Sequence, residues 1–404
     1  MRAACPHDHH GRAIPGPART LLALAAVSMA AALACWAAAP ASGAPAKYHT
    51  PPIRHVFVIV IENEGYASTF GEPAADPYLA KTLPSQGALL ESYYATGHQS
   101  NDNYISLVSG QPPNVESQAD CPVFSDFTGA LTLSEGVESG VGCVYPASVP
   151  NIGTQMSAAG LKWKAYQEDM GNDPNRESAA CGHPAPGGVD ETQKAEAGDG
   201  YASRHDPFVY FHSVIDEPSY CAAHVVAMGS PSGTMPPASL RGETGLAKDL
   251  TSAARTPRLS FITPNLCNDG HDYPCTNQPS GASALADIDS FLETWVPKIT
   301  SSPAFLKNGL LEIVFDEAAS SDATSCCGEA PGPGSPLPGI TGPGGGRVGA
   351  VLISPFIRPG TVSTTPYNHY SSLATWESLS GLPRLAEAAS VPGIFGADVF
   401  TAAG

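Results

Sequence analysis

The chain has 404 residues, of which 38 are acidic and 20 basic, giving a formal net charge of −18. A surface this acidic excludes nucleic acid as a natural partner and repels anionic substrates unless a bound cation changes the local sign. With 42% hydrophobic residues the chain can bury a sizeable core.

Residues 1–46 carry Arg2, Arg12 and Arg19, an apolar run from Leu21 to Ala39, and then ASGAPA. That order matches a secretory signal with small-residue cleavage options, so the protein is expected to be secreted, extracellular or periplasmic, without a stable membrane span. A lipoprotein tether through Cys35 is the minor alternative, weakened by Ala32 where a branched residue is usual. Residues 47–404 then read as one domain. The leader takes three of the 20 basic residues and one of the 38 acidic ones, so the remainder is still more acidic.

Arg54 to Gly71 reads RHVFVIVIENEGYASTFG. The unbroken apolar run from Val56 to Ile61 predicts a strand covered on both faces, the habit of a parallel sheet. Function in such sheets gathers at the carboxyl ends of strands, where Glu62 and Asn63 stand. Asp76–Tyr94 reads as a helix interrupted by Pro84, and Asn101–Ser109 as a short helix. An irregular, cysteine-bearing insertion falls within 111–225. Short buried strands are expected at Leu161–Tyr166, Phe208–Phe211, Leu259–Ile262, Leu310–Phe315 and Val348–Ile353, with helices at 242–255, 284–299 and 371–381. The fold class is therefore α/β, a mostly parallel central sheet flanked by helices. Residues 328–346 hold 13 Gly or Pro among 19 and read as a loop, without the Lys-Ser/Thr ending of a phosphate cradle. Cysteine neighbours in sequence pair as 121 with 143, 181 with 221 and 267 with 275, while Cys326 and Cys327 form a vicinal bridge or pair elsewhere.

Four stretches carry chemistry. Glu62 and Asn63 are matched by Asp316 and Glu317 at the end of LLEIVF, and two strand ends offering oxygen donors point to a hard-cation site. Ser100, in GHQSNDNYISLVSG, stands before a helix, where N–H groups and the dipole favour an anion; the plain alternative is a capping serine. Asn103, one turn on, is placed to donate to the same anion. In TPNLCNDGHD, His271 and Asp272 are candidates for leaving-group protonation and its orienting partner, and Asp269 with His271 could instead hold a second metal.

Taken together, ENEGY with FG, HQSNDNY ending in LVSG, YQEDM, RHDPFVYF, TPNLCNDGHD, FDE, and SPFIRPG followed by YNHYS and GLP resemble the phosphoesterase family of bacterial acid phosphatases and phospholipases C. The matches run in order from about residue 54 to 383. The resemblance implies an alkaline-phosphatase-like fold and one divalent ion of the hard-ligand type, such as Ca, Mg or Mn. It implies Glu62, Asn63, Asp316, Glu317 and Ser100 as metal-binding positions, and Ser100 as the nucleophile of a phosphoserine intermediate. Asn103 would hold the phosphoryl group, with His205, His271 and Asp272 lining the pocket. The implied activity is acid phosphatase action on a small phosphate monoester, the alternative being a phospholipase C-like diesterase acting on phospholipid head groups. The chain departs from the family at Asp102, where relatives often carry Pro, and in ending its strand with Asp-Glu rather than the Asp-His of two-zinc relatives, which favours a single cation. A serine esterase is a second enzyme rival; it would want a nucleophile elbow, and GHQSND is not G-x-S-x-G. An exported binding module with a dead site is disfavoured, because every expected ligand position is retained.

Overall fold

The run that opens the domain is its central strand. In the computed structural model, which describes residues 50–71, 75–276 and 281–400, strand β1 spans His55–Ile61 and every residue from Val56 onward is fully buried. The expected leader and Cys35 lie outside the described residues. Each aliphatic or aromatic side chain buried this completely contributes roughly 1.5–3 kcal/mol.

The remaining strands of the main sheet are β2 (Ala88–Leu90), β3 (Trp163–Gln167), β4 (Val225–Ala227), β5 (Leu259–Thr263), β6 (Gly309–Phe315), β7 (Ala350–Ile353) and β8 (Thr361–Ser363). Their spatial order is β8-β2-β7-β6-β1-β5-β3-β4, and β7 alone runs antiparallel to its neighbours. Register places the site. Ile61 pairs with Phe315, so Glu62 and Asp316, the next residue of each strand, leave the sheet side by side. The Asp316 N–H donates to Ile61 O at 2.8 Å and the Glu62 N–H to Asp269 O at 2.9 Å, which ties in the loop after β5.

Helices cover both faces. Phe57 pairs with Leu311, one residue from Glu312, so the two side chains point to opposite sides of the sheet. The Phe57 ring meets Phe305 at 6.3 Å, while Glu312 is bonded to Ser372 and Trp376. The main helices are α1 (Ser100–Ser109), α2 (Ile152–Ala158), α3 (Ala284–Thr300) and α4 (His369–Ser380). In α3, Leu285, Ile288, Leu292, Trp295, Val296 and Ile299 form the buried stripe, and Ser283 caps the first turn by accepting from the Ala286 N–H. Helix α4 begins with a capping box between Asn368 and Ser371. Gly110 ends α1 at φ +70°, and a Cβ there would lie 2.6 Å from Leu385 O, so glycine is required twice over.

Several expected elements are corrected. Asp76–Tyr94 is not one helix: short turns at Tyr78–Thr82 and Leu83–Gln86 give way to β2 and a two-residue strand at Tyr93–Tyr94. Gly87 breaks the helix and brings the chain against β7 so closely that a Cβ would stand 2.0 Å from Leu352 O. The apolar run Phe208–Phe211 is a 3-10 turn rather than a strand, because Pro207 starts it and removes a ladder donor. The helix expected at 242–255 contracts to Leu246–Asp249. Strands β2, β4 and β8 have three residues each, too short to leave a periodic signal.

The cysteines pair as 121–143, 181–221, 267–275 and 326–327, in agreement with the nearest-neighbour reading. The Cys181–Cys221 bridge closes 40 residues of the insertion. Replacing both by serine is expected to lower stability by about 3–4 kcal/mol, the loop-closure entropy returned to the unfolded chain, and the change in urea midpoint measures it.

Glu312 is fully buried in the middle of β6, and burial pushes its carboxyl up to about 7, partly offset by hydrogen bonds from Ser372 and Trp376. A carboxyl raised on folding stabilises most below its unfolded pKa and loses that contribution as pH rises through the folded value. Stability is therefore expected to fall between about pH 4.5 and 7, by a ceiling of about 3 kcal/mol. Glu312→Gln, which mimics the protonated acid, should flatten that slope in denaturant titrations; an unchanged slope would rule Glu312 out as its source.

Candidate active site

Ser100 is the first residue of α1 but does not cap it. The cap is Gln99, with φ −151°, and the Ser100 hydroxyl instead donates to Glu62 Oε2 at 2.8 Å. A capping serine would accept from its own helix; this one hands its proton across 38 positions of sequence to a buried carboxylate. Ser100 is 2% exposed and Glu62 0%.

The acid cluster around that hydrogen bond is held mainly by main-chain donors. Asp316 Oδ1 accepts from the Asn63 N–H at 3.0 Å, and Asn63 reaches this position with φ +64°. Asn63 Nδ2 also approaches Glu62 Oε2 at 3.4 Å. Asp269 Oδ1 accepts from the His271 N–H at 2.8 Å, and Asp269 Oδ2 faces His205 Nδ1 at 3.1 Å. His205 stacks flat on Tyr104 of α1, with ring centroids 5.1 Å apart and planes inclined by 4°. Its Nε2 faces Glu62 Oε1 at 3.4 Å, with no well-formed hydrogen bond between them.

Burial, followed by the nearby Asp316 and Asp269, drives the Glu62 carboxyl well above the ordinary range. Burial likewise raises Asp269 and lowers His205, the latter helped by Arg204 and His271. Such a concentration of shifted titratable groups in one buried cluster makes it the candidate functional site. Glu62 Oε1, Asp316 Oδ2 and His205 Nε2 are buried without a hydrogen-bond partner, an expensive state for polar atoms. A cation fits that vacancy of partners. Glu62, His205 and His271 offer ligand atoms that all lie within 4.8 Å of one another.

At the rim, His271 Nδ1 bonds Asp272 Oδ1 at 2.8 Å, and Arg204 Nη2 donates to His271 Nε2 at 3.1 Å. An arginine cannot accept, so the imidazole carries its hydrogen on Nδ1. Burial alone would raise Asp272, but hydrogen bonds from His271 and the Ala195 N–H hold it below the usual value.

The sequence profile of the phosphoesterase family matches residues 74–383. The chain belongs to the phosphoesterase family. This phosphoesterase is accordingly a hydrolase of phosphoric ester bonds. It is 26% identical over 373 residues to a phosphatidylinositol-3-phosphatase of Mycobacterium tuberculosis, covering 92% of each chain. It is 23% identical over 334 residues to an acid phosphatase of Aspergillus fumigatus, covering 81% of this chain and 55% of that one, so it spans about half the length of that relative. A crystal structure of an alkaline phosphatase superfamily protein from Vibrio parahaemolyticus superposes with a TM-score of 0.44 at 14% identity, over 83% of this chain and 68% of that one.

Not every expected residue of the phosphoesterase points into the cluster. Ser100, Glu62, Asp316, His205 and His271 come together, with Asn63 and Asp272 beside them. Glu317 turns aside: its Oε2 is bonded to His98 Nδ1 at 2.9 Å. Asn103 is engaged at the turn before Ser100. Its Oδ1 accepts from the Thr96 N–H, the Thr96 hydroxyl and the Gly97 N–H, and its Nδ2 donates to Gly97 O and Gln99 O at 2.9 Å each. In this arrangement the amide oxygen and both Nδ2 hydrogens shape the turn before Ser100. Asp102 is buried beneath Gly97, where a Cβ would lie 2.1 Å from Asp102 Oδ1.

Three participants were not assigned roles from the sequence. His98 stands two residues before Ser100, Arg204 stands beside His205, and Asp269 was weighed only as a second-metal ligand. Arg204 is 2% exposed, and the burial of a guanidinium in an acidic pocket is visible only once the chain is folded.

Proposed function

We propose that this phosphoesterase is a secreted, cation-dependent phosphatase that hydrolyses phosphate monoesters through a phosphoserine intermediate. The observation that carries the reading is the 2.8 Å hydrogen bond from Ser100 Oγ to the buried Glu62, at the amino end of α1. Glu62 and Asp316 would hold the cation, with the unpartnered His205 Nε2 adding a nitrogen to a mixed set that suits Mn or Zn as well as the hard ions first expected. When bound, a divalent ion would neutralise the acid pair and favour the serine alkoxide.

The chain's own groups do the rest. Ser100 Oγ releases its hydrogen toward Glu62 and forms the new bond to phosphorus in line with the leaving ester oxygen, whose bond to phosphorus breaks. The positive end of the α1 dipole favours the non-bridging oxygens, although the Asn101 N–H is already bonded to Asp120 Oδ1 at 2.9 Å. His271, a quarter of whose side chain is exposed while those of His98 and His205 are buried, offers its hydrogen-free Nε2 to take a proton from the attacking water, Asp272 holding its Nδ1–H, and the leaving oxygen takes its proton from solvent. Water displaces the serine from phosphorus.

Support for a monoester substrate comes from the two relatives named above, an acid phosphatase and, covered over 92% of its length, a phosphatidylinositol-3-phosphatase. Secretion is supported by the four disulfides, and no described helix is long and apolar enough to cross a membrane. The test is release of p-nitrophenol from p-nitrophenyl phosphate and from bis(p-nitrophenyl) phosphate, with and without a chelator. Faster turnover of the diester would overturn the monoester reading, and turnover indifferent to chelation would overturn the cation.

A further inference from the structure

Arg204 takes no part in the steps above, yet it sits against the groups that carry them. Among the described residues it is the one lysine or arginine that is buried, at 2% exposure. Its main chain lies beside the nucleophile: Asn101, the residue after Ser100, donates from Nδ2 to Arg204 O at 3.4 Å. In the side chain, Nη1–H donates to Gln193 O and Nη2–H to His271 Nε2, each at 3.1 Å, while Nε–H is buried without a partner.

A buried guanidinium that faces only neutral acceptors is costly. Acids are close by, but Asp269 and Asp272 bond His271 instead, and Arg204 forms no ion pair among the described residues. Nε and Nη2 share one edge of the planar guanidinium, and the two N–H groups of such an edge match two oxygens of a phosphoryl group. Here one prong of that fork is empty. The other rests on His271 Nε2, the atom proposed above to accept a proton from water, so that bond has to be given up before the step occurs. An anionic oxygen, a stronger acceptor than a neutral imidazole, supplies the reason to give it up.

We propose that Arg204 is the chain's own counter-charge for the phosphoryl group: its Nε–H and Nη2–H bond two non-bridging oxygens, which selects the monoester over the diester and frees His271 Nε2 for the attacking water. The inference deepens the function proposed above and rests on its placement of phosphorus at Ser100. A phosphate monoester carries about −1.5 to −2 charges at neutral pH, whereas a diester carries a single one. In a pocket lined by the buried Glu62, Asp269 and Asp316, the extra charge is repelled unless a fixed cation faces it. Gln193 O holds the third nitrogen, so the fork is oriented before substrate arrives.

The experiment compares the full-length wild type with Arg204→Gln and Arg204→Lys at neutral pH. It reads kcat/KM on p-nitrophenyl phosphate and on bis(p-nitrophenyl) phosphate, and the affinity for inorganic phosphate by titration calorimetry. Arg204→Gln should lower kcat/KM for the monoester and the affinity for phosphate about 100-fold each, and kcat/KM for the diester less than about fivefold. Arg204→Lys keeps the charge without the fork and should lose about 10-fold on the monoester; it gives the same comparison if the glutamine variant does not fold. A folded variant in which both esters fall by one factor, or which binds phosphate as the wild type does, overturns the inference and leaves Arg204 a strap between Gln193 and α1. Failure of both variants to fold, seen by circular dichroism, overturns it too. Should the wild type hydrolyse neither ester, the proposed function fails, and phosphate affinity in the variants still decides whether Arg204 binds the anion.

Discussion

Ser100→Ala is expected to reduce turnover of a phosphate monoester by roughly 10³–10⁵-fold while leaving the fold intact, the scale of loss seen when a covalent nucleophile is removed. The structural cost is small. Ser100 Oγ makes one recorded hydrogen bond, to Glu62, and neither caps α1 nor bonds another strand. Deleting the hydroxyl leaves Glu62 Oε2 with the weak 3.4 Å contact from Asn63 Nδ2, a change worth about 1 kcal/mol or less in the metal-free protein. Near-normal far-ultraviolet circular dichroism with abolished turnover would therefore separate chemistry from folding. Residual activity within about tenfold of wild type would mean that Ser100 only shapes Glu62, and that another nucleophile acts.

The parts of this site that are legible in the sequence share one physical property: they sit where a dense apolar run stops. Val56–Ile61 and Leu310–Phe315 can only be buried strands, so Glu62 and Asp316 at their ends had to be functional or costly, and the register that places them side by side follows from parallel neighbours. Ser100 was legible as a residue at a helix start, but not as a donor to Glu62, because helix position does not say where a hydroxyl points. Asn103 shows the opposite limit. Its spacing from Ser100 on the helix was right for a shared anion, yet the tight turn at Thr96–Gln99 uses the whole amide, and no pattern in the sequence marks that demand. His205 lies between β3 and β4 while Asp269 and His271 follow β5, and the two segments meet through contacts such as Leu266 N–H to Gly200 O and Thr263 Oγ1 to His205 O, so their closeness is a tertiary fact. The short edge strands stayed hidden for a simpler reason, since three residues carry too little alternation to read.

Glu62→Gln should abolish turnover and yet make the metal-free protein more stable. Glu62 and Asp316 leave adjacent strands together, with Asp269 close by, and Glu62 Oε1 and Asp316 Oδ2 have no hydrogen-bond partner. Without a cation, such a group of buried acids costs more than it returns, and removing one charge at constant volume commonly stabilises by about 1–3 kcal/mol. The sign with pH follows from the direction of the shift. Burial and the neighbouring Asp316 and Asp269 raise the Glu62 carboxyl, so its contribution is favourable at acid pH and lost as pH rises above the ordinary glutamate value. The advantage of glutamine is therefore largest at alkaline pH and shrinks toward pH 4. In the wild type, a chelator should lower the urea midpoint at pH 8, because a ligand that binds the native state alone stabilises it by mass action. In Glu62→Gln the chelator should have little effect, and turnover should be at least about 10³-fold below wild type, since the variant lacks both the acceptor for the serine proton and a cation ligand. A variant less stable than wild type in the presence of chelator would show that the acid pair is held by something other than a cation, and would return Glu62 to a structural role.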